Sequence, residues 1–181
     1  MLLHEPHVTL HSSGAPISAD VPDITMQIRH VATVAFLHRD SRTILLQART
    51  RISKFGEHWG FFGGSMQDGE SPEAAVRREI QEELTWTLGT LRHFRSYSAE
   101  LPNGVSAVEE VFVSAFPGFP ALCQREGDGM ALFTPEQAGQ LRVLPVYQTI
   151  LVDLDTNFDA LCSEVTDGDS PAARAADIAS C

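Results

Sequence analysis

The sequence predicts an α+β domain, and three observations carry that prediction. Short apolar runs separated by turn residues fill the first part of the chain, one well-capped amphipathic helix pattern stands at its centre, and strand-like runs then resume before a closing helical periodicity. His30 to Leu37, rich in Val, Ala and Thr before Phe36, reads as a buried strand. His38-Arg39-Asp40-Ser41 turns it into a second strand, Thr43 to Ala48, to make a hairpin. Trp59 to Phe62 is a short aromatic strand, with a sharp turn expected at Gly63-Gly64. Ser71 is a good helix N-cap and Pro72 suits the first helical position; helix formers then run to Thr85-Trp86-Thr87, with Gly89 as a stop signal. Leu91 to Ser98 resumes as strand, Leu101-Pro-Asn-Gly turns, and Val105 to Phe116 is a long strand. After a polar loop from Gln124 to Gly129, Met130 to Phe133 is a short strand. Thr134 then starts a helix to about Leu141, and Leu144 to about Leu154 has the spacing of a closing amphipathic helix.

The expected organisation is an irregular arm over 1–25, one domain over 26–162 and an Ala-, Ser- and Asp-rich tail over 163–181. No secretory leader pattern or membrane-length apolar run is read, and Cys123, Cys162 and Cys181 suggest neither a zinc site nor a disulfide framework. A cytoplasmic protein is expected. The net charge of -11 argues against a nucleic-acid duplex as partner. His4, His7 and His11 lie in the arm without supporting carboxylates and read as surface residues.

Within the central helix Glu79, Glu82 and Glu83 stand at i, i+3 and i+4, beside an apolar stripe of Val76, Ile80 and Leu84. Clustered carboxylates repel, and a divalent cation removes that cost; oxygen-only ligands suit Mg2+, with Mn2+ as the alternative. Arg49, Arg51, Lys54 and His58 lie in the loop just upstream, and guanidinium and ammonium groups are natural phosphate partners.

The stretch from Gly64 to Trp86 resembles the Nudix box. Gly64, Glu70, Arg78, Glu79, Ile80, Glu82, Glu83 and Trp86 fall at the family's spacings, and Thr85 replaces the family's late glycine. Because a Cβ is unfavourable in a left-handed cap, the helix is expected to end differently or to leave that role to Gly89.

The resemblance implies a Nudix-type α/β/α sandwich around a mixed β-sheet. It also implies Mg-dependent hydrolysis of a diphosphate linkage in a nucleoside diphosphate joined to another moiety, of nucleotide or nucleotide-sugar type. In that reading Glu79, Glu82 and Glu83 hold metal, Glu70 supports the loop or binds a second ion, and Arg78 aims a neighbouring glutamate. Arg49, Arg51 and Lys54 clamp phosphates, and Gly64 opens the loop over the metal. A further acid outside the box completes the metal set or acts as base; Glu109, Glu110 and Glu126 are the candidates, and strand alternation lets only one of the first two face the site. The expected partner is a small-molecule diphosphate, without membrane, and a homodimer is left open.

The alternative is a Nudix-fold nucleotide-binding or regulatory module with little or no turnover, against which the intact carboxylate set argues. Prenyl-diphosphate isomerisation is disfavoured because no cysteine lies upstream of the box, and RNA decapping by the charge balance. Phe55, Trp59 and Tyr97 are candidates to stack a base, although such aromatics also serve as core.

Overall fold

A computed structural model of the chain describes residues 28–166. The arm, with its three histidines and the strand expected near Val8 to Leu10, lies outside these residues, as does the end of the chain. Seven strands form one mixed sheet: β1 (Arg29–His38), β2 (Thr43–Ala48), β3 (Trp59–Gly60), β4 (Phe62–Ser65), β5 (Arg92–Glu100), β6 (Ser106–Ala115) and β7 (Gly129–Phe133). Three α-helices accompany them, α1 (Pro72–Leu84), α2 (Pro135–Gly139) and α3 (Pro145–Thr166). The main order is β3-β2-β1-β6-β5, with β4 paired to β1 and β7 to β2. β1 and β6 run parallel, from Arg29 opposite Ala107 to Leu37 opposite Ala115, while the other pairings are antiparallel.

Period-two alternation sorts the side chains into two cores, one on each face of the sheet. Ala35, Leu37, Ile44, Leu46, Val111 and Val113 pack under α3, against Ile150, Leu151, Leu154 and Phe158. Ala32, Val34, Phe36, Leu45, Phe62 and Phe112 pack under α1, against Ala75, Val76, Ile80 and Leu84. The chain is therefore an α/β/α sandwich.

Three expectations need correction. The glycine pair is not a turn: β4 carries on through it to Ser65, with Gly63 opposite Thr33 and Gly64 opposite Ala32. Thr85 itself takes the left-handed cap, at φ 50 and ψ 39, and its N–H donates to the Gln81 carbonyl. Its hydroxyl accepts from Arg125 Nε at 3.2 Å, and the amides of Cys123 and Arg125 cap the carbonyls of Leu84 and Glu83, so tertiary contacts hold this end in place of Gly89. Finally, α3 continues past Leu154 to Thr166, burying Phe158, Leu161, Cys162 and Val165, because its apolar spacing persists into the stretch read as tail.

Candidate active site

β1 divides its pairing between two neighbours. Its second half pairs with β2 and its first half with β4, and the cavity of interest opens beside this change of partner. The cavity measures about 320 Å³ and receives Glu79 and Glu83 from α1, Glu109 from β6 and Glu126 from the following loop. Cations reach it from three places, Arg29 at the start of β1, Arg49 just past β2 and Lys54 in the basic loop. With Glu57 of the basic loop also in the lining, five carboxylates and three cations surround one opening, a set that can hold a divalent cation and phosphate together.

The helix orients its three glutamates unequally. Glu83 is 4 % exposed, and its Oε2 accepts from the Gly63 amide at 3.0 Å. Burial pushes its carboxyl up to about 7, Gly63 pulls the other way, and Glu126 adds to the rise. Glu79 is half-buried, whereas the Glu82 side chain is 62 % exposed and lies 3.6 Å from Arg78. Glu82 is absent from the cavity lining. A Cβ at Gly64 would lie 2.6 Å from the Glu79 carboxyl and push it aside; the missing side chain is the space that carboxylate uses.

Arg78 ties the loop to the helix. Its Nε and Nη2 donate to the two oxygens of Glu70, each at 2.9 Å, and Nη1 donates to Glu79 Oε1 at 2.7 Å. Nη2 also reaches the Ser65 carbonyl. The Arg78 hydrogen bonds, helped by the Gln67 amide, bring the Glu70 carboxyl down to about 2. Glu70 is thereby committed to Arg78 and lies outside the cavity lining.

Of the basic loop, Arg49 and Lys54 line the cavity and Arg51 does not. Arg51 pairs instead with Asp128 through side chain and backbone. Arg49 contacts the Gln47 amide oxygen and lies 3.8 Å from Glu57. Glu57 organises the loop from within, accepting from Ser53 Oγ at 3.0 Å and from the Phe55 and Lys54 amides. Burial works against its charge, but these hydrogen bonds hold Glu57 below the usual carboxylate range.

The outside acids separate cleanly. Glu109 faces the cavity, while Glu110 projects from the opposite face of β6 and accepts from Ser96 Oγ at 2.6 Å beside His93. Glu126 is held by its backbone, whose carbonyl accepts from Gln47 Nε2 at 3.1 Å and Gln124 Nε2 at 2.7 Å; its carboxylate is exposed at the cavity. Of the aromatic candidates, Phe55 lines the cavity, Trp59 packs on Phe133 in the core, and Tyr97 donates to Asp153 at 2.7 Å beneath α3.

Arg29, Thr33, Glu57 and Tyr147 join the site without having been singled out in the sequence. For Arg29 and Thr33 a signal existed: with Val31 they alternate along one strand and so share a face. Glu57 is set by hydrogen bonds within its own loop, to Ser53, Lys54 and Phe55, while Tyr147 is brought in by long-range packing and has no local pattern.

Among the described residues no three acidic, His or Cys side chains converge as a finished cation shell. The donor set nonetheless fits a hard divalent cation. Its ligands are oxygen only, Gly64 leaves space at the Glu79 carboxyl, and the repulsion between Glu83, Glu79 and Glu126 is of the kind a cation relieves.

Comparison with known proteins agrees with this geometry. A family model described as the NUDIX domain matches residues 28–153. An 8-oxo-dGTP diphosphatase of Proteus vulgaris is 36 % identical over 55 residues, which are 30 % of this chain and 48 % of that protein, so the chain spans about half the length of this curated relative. The solved MutT NUDIX hydrolase of Burkholderia pseudomallei superposes with a TM-score of 0.59 at 25 % identity, over 70 % of this chain and 97 % of that one. The E. coli ORF135 protein gives 0.61 at 24 %, over 75 % and 94 %.

Proposed function

Because the chain belongs to the NUDIX family, we propose that it is a pyrophosphohydrolase that cleaves a diphosphate linkage in a nucleoside diphosphate joined to a second moiety, with Mg2+ as cofactor. The observation that carries this reading is one cavity that gathers Glu79, Glu83 and Glu126 together with Arg29, Arg49 and Lys54. Glu79 and Glu83 would hold the cation, with Glu82 reaching it from the exposed edge of α1. When bound, Mg2+ supplies charge neutralisation on the diphosphate and makes water more acidic.

The protein's own groups do the rest. Arg49 and Lys54 bind phosphate oxygens and fix the chain for in-line attack, with Arg49 itself braced by Gln47 and Glu57. Arg78 holds Glu70 and Glu79 so that the loop and the helix keep one register. Glu126 takes the proton of the attacking water, because its backbone is anchored while its carboxylate is exposed at the cavity. The water oxygen bonds to phosphorus, the anhydride P–O bond breaks, and its electron pair leaves on the departing phosphate oxygen. The loop from Cys123 to Glu126 is joined to the end of α1 through the Leu84 and Glu83 carbonyls, which keeps proton acceptor and cation ligands together.

The test is a release assay with Mg2+ across nucleoside triphosphates, nucleotide sugars, ADP-ribose, dinucleoside polyphosphates and coenzyme A. The likeness to an 8-oxo-dGTP diphosphatase makes that nucleotide the first to try. Product release abolished by chelation and restored by Mg2+ is expected; binding without release from any compound would replace the enzyme with a binding module.

A further inference from the structure

Gln47 is a polar residue in a core position. It shares the α1 face of the sheet with Leu45, two positions back in β2, and is 0 % exposed. A buried amide is destabilising unless its N–H and its oxygen both find partners. Here they do: Nε2 donates to the Glu126 carbonyl at 3.1 Å, and Oε1 accepts from Arg49 Nη1. Each partner can meet only one end of the amide, since a carbonyl needs a donor and a guanidinium an acceptor, so the amide has one orientation.

Close packing fixes both attachments. Gly60 of β3 is the register partner of Gln47, and a Cβ there would lie 2.8 Å from Arg49 Cδ, so the Arg49 stem runs across the glycine. On the other side a Cβ at Gly127 would lie 2.9 Å from Gln47 Cγ; the turn after Glu126 rests on the Gln47 stem. The Asp128 amide fastens that turn to β2 by donating to the Ala48 carbonyl at 2.8 Å. Gln47 thus stands between two groups that line the cavity, Arg49 and Glu126, while it is itself absent from the lining.

We propose that Gln47 is a positioning residue of the reaction, the tie that holds the proton acceptor Glu126 and the phosphate clamp Arg49 at one separation. This rests on the reading of those two groups given above. In-line attack needs the water and the phosphorus aligned, so the group that takes the water's proton and the group that holds the phosphate have to keep a fixed spacing. They come from different segments, the loop between β6 and β7 and the end of β2. One buried, fully paired amide joins them. Only a side chain with a donor and an acceptor at its tip can do this: an ionised carboxylate has no donor, and a thioether is at best a weak acceptor. Gln124 gives the Glu126 carbonyl a second hydrogen bond, at 2.7 Å, but its amide also donates to the Gly129 carbonyl, so it fixes the turn without joining it to the clamp.

The test is a pair of double-mutant cycles on a substrate that the enzyme turns over with Mg2+. Gln47→Met nearly keeps the volume and removes both hydrogen bonds. It is expected to raise KM and to lower kcat, each by about tenfold. In an Arg49→Met background the same change should leave KM within about twofold, and in a Glu126→Gln background it should leave kcat within about twofold, because the partner it acts through is already lost. A full, additive loss in either background would make Gln47 a general structural residue and overturn the proposal. Should Gln47→Met fail to fold by circular dichroism, Gln47→Glu takes its place. That variant keeps an acceptor for Arg49 and loses the donor to Glu126, so kcat should fall by a larger factor than KM rises; the reverse overturns the proposal. A wild type that releases product from no compound would reject the hydrolase instead. The Arg49 cycle is then read by calorimetry as affinity for inorganic diphosphate with Mg2+. Weakening by Gln47→Met only where Arg49 is present upholds the brace, and equal weakening with and without Arg49 overturns it.

Discussion

The Gly63 amide donates to Glu83 Oε2 at 3.0 Å, so a strand backbone fixes a carboxylate of the facing helix. Gly63 can do this only because it has no side chain. Its φ is +127°, and a Cβ would collide with the Ala32 carbonyl oxygen. Gly63→Ala is expected to cost about 3 kcal/mol, measured by urea unfolding, because backbone strain and a backbone clash add together.

Gly64→Ala should behave differently. Its φ is not in the left-handed region, and the Cβ would meet only the end of the Glu79 side chain. Stability is expected to stay within about 1 kcal/mol of wild type, while Mg2+ affinity, read by titration calorimetry, falls at least tenfold as Glu79 is displaced. Unchanged affinity would remove Glu79 from the proposed cation site.

Glu83→Gln tests the cation side directly. Turnover with saturating Mg2+ should fall at least a hundredfold, while the circular dichroism spectrum stays that of wild type. Full activity in this variant would end the assignment of α1 as the cation-holding helix.

Metal-free stability should depend on pH through two opposed sets of groups, with burial raising Glu83 and Glu109 and hydrogen bonds lowering Glu70 and other paired carboxyls. Burial raises Glu83 in the folded state to about 7, so its contribution is fully present below about 4.5 and is lost as pH rises from there to about 7. Arg78 lowers Glu70 to about 2, so that contribution is present above about 4.5 and is lost as pH falls towards 2. Thermal unfolding across this range should show both limbs. Glu83→Gln should make the upper limb shallower, leaving the share of Glu109, and stabilise the metal-free protein at pH 8 by about 2 kcal/mol.

Thr85→Gly should stabilise the protein by about 0.5–1 kcal/mol, seen as a Tm higher by a few degrees. The substitution relieves a side chain held at φ 50 and gives up an exposed hydrogen bond from Arg125.

The local features of this protein were legible in its sequence. Ser71 and Pro72 set the start of α1, the repeat of Val76, Ile80 and Leu84 set its buried side, and alternation set the strands, because caps and periodicities depend on residues a few positions apart. The spacing of the box likewise carries the family resemblance without reference to the fold. Tertiary structure decided what distant segments bring together. It paired the two glycines into β4, turned Glu109 inward and Glu110 outward, drew Glu126 beside Glu83, and sent Arg51 to Asp128. It also buried Tyr147 at a cavity far from it in the chain and held Thr85 in a cap its own Cβ disfavours. Sheet register and packing against other elements fix these outcomes, and no window of neighbouring residues contains that information.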